Sequence, residues 1–264
     1  MLYDQSPRWE DLWIFIGCGI GAFLMRGAGC TWNDITDRDF DAQVARTRSR
    51  PIPSGQVSVN GAVAWMVIQA LLAACILFTF NIAAIGLGVL SLVLVAIYPF
   101  AKRFTWWPQV FLGLAFNWGA LLAWTAHTGR LDAPAVLLYA AGIAWTLFYD
   151  TIYAHQDAED DALIGVKSTA RLFAENTPRA LLFFQIAAML FLLGACLAEP
   201  QVLLNRPLPL VIAIATVWAF GAHLTWQLRN LDIDNPAVCL HLFRANRDTG
   251  LILAAGWMMA IAVA

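Results

Sequence analysis

Between Asp34 and Asp41 four aspartates fall within eight residues, inside the stretch CTWNDITDRDFDAQVARTRSRPIPSG that runs from Cys30 to Gly55. Arg46, Arg48 and Arg50 follow them. A second acidic stretch, YDTIYAHQDAEDDALIGVKSTA, runs from Tyr149 to Ala170. If each stretch continues the helix before it at about 100° per residue, Asp34, Asp37 and Asp41 fall within roughly 60° of arc, with Asp39 on the other side. By the same spacing Asp150, Asp157 and Asp161 fall within about 40°, with Tyr153 and Asp160 beside them and Glu159 opposite. Carboxylates gathered on one face repel, and at a membrane surface that cost persists only where cations offset it. Hard oxygen donors with no histidine pair nearby suit Mg²⁺ or Mn²⁺ rather than zinc. Magnesium takes a few carboxylates, water and substrate phosphate oxygens, and neighbouring arginines and lysines neutralise the remaining phosphate charge. The two clusters point to a magnesium-dependent diphosphate site.

The elements that must position these clusters are membrane helices. Of 264 residues 60% are hydrophobic and only 13% charged, too few charges to cover a soluble domain of this size. Apolar segments of about 18 or more residues recur, each long enough to cross a bilayer. Eight spans are expected, over roughly 12–31, 60–80, 82–100, 108–127, 133–150, 179–198, 207–227 and 248–264, in an all-α multi-pass transmembrane helical bundle. Pro51, Pro53 and Gly55 separate the first two spans, and Asn81 marks a tight turn between the second and third. A net charge of −2 gives no reason to expect a nucleic-acid partner. The five cysteines are scattered without a CxxC pair and read as small packing residues. Met1 to Asp11 lacks the basic start and apolar middle of a cleavable signal.

Twelve of the sixteen lysines and arginines fall in one set of loops, three (Arg8, Arg130, Arg206) in the other, and Arg26 within a span. The twelve-charge side is expected to be cytoplasmic, and both acidic stretches lie on it, so they can converge on one face of the membrane. A single such cluster reads equally well as a solvated loop balanced by its arginines; two on one side with one-face spacing favour a site. An ion pathway is the other alternative, but transport carboxylates sit near the bilayer midplane and these sit at helix ends.

Asn33-Asp34-x-x-Asp37-x-x-x-Asp41 resembles the NDxxDxxxD motif of the UbiA superfamily of intramembrane prenyltransferases, and Asp157-x-x-x-Asp161 resembles its second aspartate motif. Within the superfamily, the YDTxYA opening and the GxKST ending (Gly165, Lys167, Ser168, Thr169) are most similar to those of the 4-hydroxybenzoate polyprenyltransferases. RTRSRPIPSG, YPFAKRFTWWPQ with Tyr98-x-x-x-Lys102, and HLFRANRDTG extend the resemblance over the whole chain as a single domain.

The resemblance implies transfer of a polyprenyl group from polyprenyl diphosphate to 4-hydroxybenzoate, ortho to the phenol, in ubiquinone biosynthesis at the cell inner membrane. Asp34, Asp37 and Asp41 would then hold one Mg²⁺, and Asp157 and Asp161 a second. Lys102, Arg46 and Lys167 are candidates for phosphate contact, against the alternative of ordinary positive-inside surface charge. Tyr149 and Tyr153 are candidates to face the allylic cation, with Asp150 beside them on the substrate. Asn33 or an aspartate would orient the phenol or accept its proton. Arg26, two turns before Asn33 and on nearly its side, would pair with the aromatic carboxylate or with a motif aspartate; otherwise it snorkels to the interface. Relatives prenylate naphthoates, homogentisate, chlorophyllide or haem, so another acceptor is the alternative within the superfamily. His127, His223 and His241 have no partner at metal-ligand spacing and read as ordinary polar contacts.

The family has nine spans, and this chain starts with what resembles the second. The resemblance therefore implies that the first span, with its RxDKP-like segment, is missing, which would expose the polar cavity to lipid and leave an inactive, truncated member as a further alternative. His155 and Gln156 stand where an apolar pair is expected.

Overall fold

The computed structural model describes residues 9–44, 47–163, 165–198 and 207–263. Helix is the only extended secondary structure among the described residues, as backbone groups in lipid require for a chain without a closed barrel. The helices are α1 (Trp9–Asp41), α2 (Val59–Leu77), α3 (Ile82–Ile97), α4 (Ala101–Phe104), α5 (Pro108–Phe116), α6 (Trp118–Thr128), α7 (Ala133–Ala154), α8 (Ala158–Leu163), α9 (Thr169–Phe173), α10 (Thr177–Leu197), α11 (Pro207–Arg229) and α12 (Pro236–Ala262). Seven stretches, Trp9–Asp41, Val59–Leu77, Ile82–Phe104, Pro108–Thr128, Ala133–Asp157, Thr169–Leu197 and Pro207–Arg229, are long and apolar enough to cross a membrane. The eighth expected span is covered by α12, whose N-terminal half carries Arg244, Arg247 and Asp248 and so falls below that hydropathy. The protein is a multi-span membrane protein.

Polar caps set the ends. Ser58 Oγ accepts from Gly61 N at 3.2 Å and starts α2. Asn81 starts α3 by accepting from Ala84 N at 3.0 Å, and its Nδ2 donates to Thr125 O and Ala126 O, tying the α2–α3 turn to the end of α6. Asn235 caps α12 through Ala237 N and Val238 N, with Pro236 in the first turn, so that helix begins twelve residues before the expected apolar span. At the far end of α1 the buried Asp11 meets His127 Nδ1 at 2.5 Å and joins α1 to α6.

The dense core lies between α7, α10, α11 and α12, where Phe148, Ile152, Leu181, Val217, Phe220, Leu224 and Leu242 are almost wholly buried. The helices α1, α2 and α3 bury much less of their length within the protein. One expected span is broken: α5 and α6 meet at Asn117, whose Nδ2 donates to Gly113 O at 2.8 Å and to Thr146 Oγ1 at 2.9 Å. That amide supplies a donor to the carbonyl at the break, and the bare backbone of Gly142 leaves it room: a Cβ there would lie 2.2 Å from Asn117 Oδ1.

Candidate functional site

The first acidic stretch does continue its helix. With no proline or glycine between Gly29 and Pro51, α1 runs through all four aspartates to Asp41. Asp34, Asp37 and Asp41 share a face there, and each meets a cation. Arg50 folds back from the following loop so that its Nη1 lies 3.0 Å from Asp34 Oδ1 and 2.9 Å from Asp41 Oδ2. Thr47 Oγ1 fastens that loop by donating to Asp41 O at 2.9 Å. Asp37, fully buried, meets Lys102 Nζ through Oδ2, while Arg103 Nη2 stands 3.7 Å from its Oδ1, too far for a hydrogen bond. Oδ1 of Asp37 is thus a buried oxygen with no hydrogen-bond partner among the described residues. Asn33 sits on the same turn, next to Asp34.

The second stretch differs from the expectation of one continuous helix. The helix α7 ends at Ala154, a 3₁₀ turn spans His155–Asp157, and α8 follows. His155 and Gln156, the two departures from the family's apolar pair, make that turn: His155 Nε2 lies 3.0 Å from Thr177 Oγ1, and Gln156 Nε2 donates to Tyr153 O at 3.1 Å. Asp157 closes that turn and Asp161 lies in α8, so the second stretch is not one uninterrupted α-helix. Both are half-buried. Beyond α8 the chain reverses at Gly165, whose φ of 75° is open to glycine without strain. Val166 N and Arg171 Nη1 both donate to Asp161 O, and Lys167 N donates to Lys102 O at 3.1 Å. Lys102 therefore belongs to both stretches: its ammonium holds Asp37 and its carbonyl holds the GVKST segment. Lys167 turns its own ammonium to Phe104 O at 3.4 Å and over the Trp106 ring at 6.0 Å. Arg46 and the side chain of Asp160 lie outside the described residues.

Two cavities lie among the helices. One of about 480 Å³ runs between α1, α2, α3 and α6 and is lined by Arg26, Tyr98, Phe116 and small residues such as Gly21 and Ala73. Arg26 stands over the Phe116 ring, 5.5 Å from its centroid. The other cavity, about 280 Å³, is bordered by α5, α6, α7, α10, α11 and α12; Phe116 and Gly119 line both. Tyr149 bonds Thr146 Oγ1 at 3.2 Å, and Tyr153 lies against Phe243 with centroids 4.4 Å apart.

Among the described residues no three histidine, cysteine, aspartate or glutamate side chains converge on one metal position. The carboxylates of the first stretch are already matched by basic side chains. Arg50 and Arg103 are the members that spacing did not single out: Arg50 lies 16 and 9 residues from its partners, and only the fold of the proline-bounded loop brings it back.

A model of the UbiA prenyltransferase family matches residues 3–247. The chain is 49% identical over 251 residues to "4-hydroxybenzoate polyprenyltransferase, mitochondrial" of Bos taurus and 47% identical over 251 residues to the Homo sapiens protein of that name, each alignment covering 95% of this chain. The chain spans 65% of the length of these two relatives. In structure it is similar to a UbiA homolog from Aeropyrum pernix K1, with TM-score 0.74, 22% identity and 96% of both chains covered. It is also similar to a UbiA homolog from Archaeoglobus fulgidus bound to GPP and Mg²⁺, with TM-score 0.62, 17% identity, and 96% of this chain and 95% of that one covered.

Proposed function

The chain belongs to the UbiA prenyltransferase family, and from that premise we propose that it transfers a polyprenyl group from polyprenyl diphosphate to the ring of 4-hydroxybenzoate, ortho to the phenol. The observation that carries the proposal is the meeting of two acidic stretches at Lys102, whose ammonium holds Asp37 and whose carbonyl accepts from Lys167 N, together with an apolar cavity whose charged lining residue is Arg26. Diphosphate, hydrocarbon and aromatic carboxylate each find a matching environment there.

Magnesium fits these residues. Their donors are hard oxygens, Asp37 Oδ1 is buried without a hydrogen bond, and Mg²⁺ needs only one or two carboxylates beside water and phosphate. Asp34, Asp37 and Asp41 would hold one ion and Asp157 and Asp161 another. When bound, the metal offsets the charge of the departing diphosphate. The proteins of similar fold from Archaeoglobus fulgidus, seen with Mg²⁺ and with GPP or DMAPP, support this assignment.

The chain's own residues do the rest. Lys102, Arg50 and Lys167 carry positive charge at the diphosphate end. Arg26 receives the carboxylate of 4-hydroxybenzoate in the larger cavity, and Asn33 orients its phenol. Tyr149 and Tyr153, with Asp150 between them, present electron-rich rings to the allylic carbon as its bond to diphosphate oxygen breaks. The ring carbon ortho to the phenol forms the new carbon–carbon bond and then loses its proton. The dry surroundings of the bundle keep water from the cation.

The reaction is a step of ubiquinone biosynthesis, and we assign the protein to the cell inner membrane with its acidic end on the cytoplasmic side, which carries the excess of lysine and arginine. The test is a competition between 4-hydroxybenzoate, homogentisate and a hydroxynaphthoate for one prenyl diphosphate, with purified chain and Mg²⁺. Prenylated 4-hydroxybenzoate as the main product upholds the reading. Preference for another acceptor, or no product with any, overturns it.

A further inference from the structure

The face of α7 that leads into the second acidic stretch carries rings at Trp145, Tyr149 and Tyr153, spaced by four residues so that they follow one another along one side of the helix. Tyr149 and Tyr153 belong to the proposed reaction centre. Trp145 lies deeper, stands edge-on to Tyr149 (5.8 Å, 85°) and to Phe220 (5.3 Å, 79°), and lines the 280 Å³ cavity. That cavity is lined by no charged residue, whereas Arg26 lines the other. The carboxylate-bearing substrate therefore belongs with Arg26, and the uncharged, ring-walled interior suits hydrocarbon.

A chain of buried amides serves Trp145. Its Nε1 donates to Asn246 Oδ1 at 2.8 Å. Asn246 Nδ2 donates to Gln227 Oε1 at 2.8 Å and to Leu242 O at 3.0 Å. Gln227 Nε2 in turn donates to Thr249 Oγ1 at 3.0 Å. Asn246, Gln227 and Thr249 are all buried. Each amide's donors and acceptor are committed, so the Asn246 side chain has one orientation and the indole one rotamer. One turn further along α12, Gly250 clears space for the ring: a Cβ there would lie 3.2 Å from Trp145 Cη2. Polar groups buried among membrane helices are costly unless fully paired, and here the pairing converges on one indole.

We propose that Trp145 is a determinant of prenyl-chain length and that Asn246 is the residue that positions it; this rests on the prenyl-transfer reading above. Trp145 precedes Asp157 by twelve residues, roughly 18 Å along the helix axis. A donor of one isoprene unit, held by its diphosphate at the acidic end, stops short of Trp145. A donor of three or four units reaches it and packs its alkene carbons on the ring.

The experiment measures the affinity of the full chain, with Mg²⁺, for unreactive prenyl thiolodiphosphates of one, two, three and four isoprene units. The variants are Trp145→Leu, Trp145→Phe, Asn246→Leu and the double Trp145→Phe/Asn246→Leu. Affinity of the parent chain should rise with length, and the four-unit to one-unit affinity ratio should drop about tenfold or more in Trp145→Leu and Asn246→Leu. The double variant should match Trp145→Phe alone, because the N–H that Asn246 holds is already gone. An equal loss at every length, an unchanged ratio, or an additive double variant overturns the proposal. Where Trp145→Leu fails to fold, Asn246→Leu and Trp145→Phe give the same comparison. Turnover on 4-hydroxybenzoate, assayed in parallel, reports separately on the prenyl-transfer reading, since the binding series needs none.

Discussion

The ammonium of Lys102 lies 2.5 Å from Oδ2 of the fully buried Asp37, and the carbonyl of the same lysine accepts from Lys167 N at 3.1 Å. One residue thus fixes the distance between two acidic stretches that the sequence separates by more than a hundred positions. Were a metal to take over Asp37, as the prenyl-transfer reading requires, the Lys102 ammonium would be left to meet a phosphate oxygen.

Removing one partner of this pair strands the other. Asp37→Ala should destabilise the protein by about 3 kcal/mol, the cost of leaving a buried ionic partner alone. The double variant Asp37→Ala/Lys102→Met should recover part of that loss. Thermal unfolding in detergent measures both, and a double variant less stable than Asp37→Ala would contradict the pairing.

Arg50 neutralises Asp34 and Asp41 through a single nitrogen. Arg50→Ala should lower kcat/KM for the prenyl diphosphate about a hundredfold, as loss of a preorganised cation at a site of developing negative charge does. Arg50→Lys should restore part of it. Steady-state kinetics at saturating 4-hydroxybenzoate checks this, and an unchanged kcat/KM in Arg50→Ala would remove Arg50 from the site.

Arg26 stands alone as the charged residue of the larger cavity. Arg26→Leu should raise KM for 4-hydroxybenzoate about tenfold or more, the cost of losing a charge-assisted bond to a carboxylate, with a far smaller change for the donor. Equal effects on both substrates would count against a carboxylate role.

The break between α5 and α6 depends on the space at Gly142. Gly142→Ala should push Asn117 off Gly113 O and Thr146 Oγ1 and cost roughly 1–3 kcal/mol of stability, as overpacking does. An unfolding midpoint equal to that of the parent chain would show that Asn117 can move at no cost.

How much of this was legible in the sequence follows from what is local and what is not. The spacing of Asp34, Asp37 and Asp41 fixes a common face because helical geometry converts spacing into angle, and nothing interrupts α1 before Asp41. The 3₁₀ turn at His155–Asp157 is not legible in the same way, because the His155 side chain meets a partner in α10, Thr177. Hydropathy located seven spans but started the last helix too late, since a capped helix can begin among charged residues. Arg50 meets its aspartates only after the loop folds back, and Trp145 finds Asn246 across 101 residues. No periodicity reports such contacts.

The most direct test of the account is one assay: purified chain, a labelled prenyl diphosphate and 4-hydroxybenzoate, with Mg²⁺ and then with EDTA, alongside Asp34→Ala. The account predicts prenylated 4-hydroxybenzoate with Mg²⁺, none after chelation, and none from Asp34→Ala although that variant still inserts in the membrane. Equal product with EDTA, or normal turnover by Asp34→Ala, would contradict it.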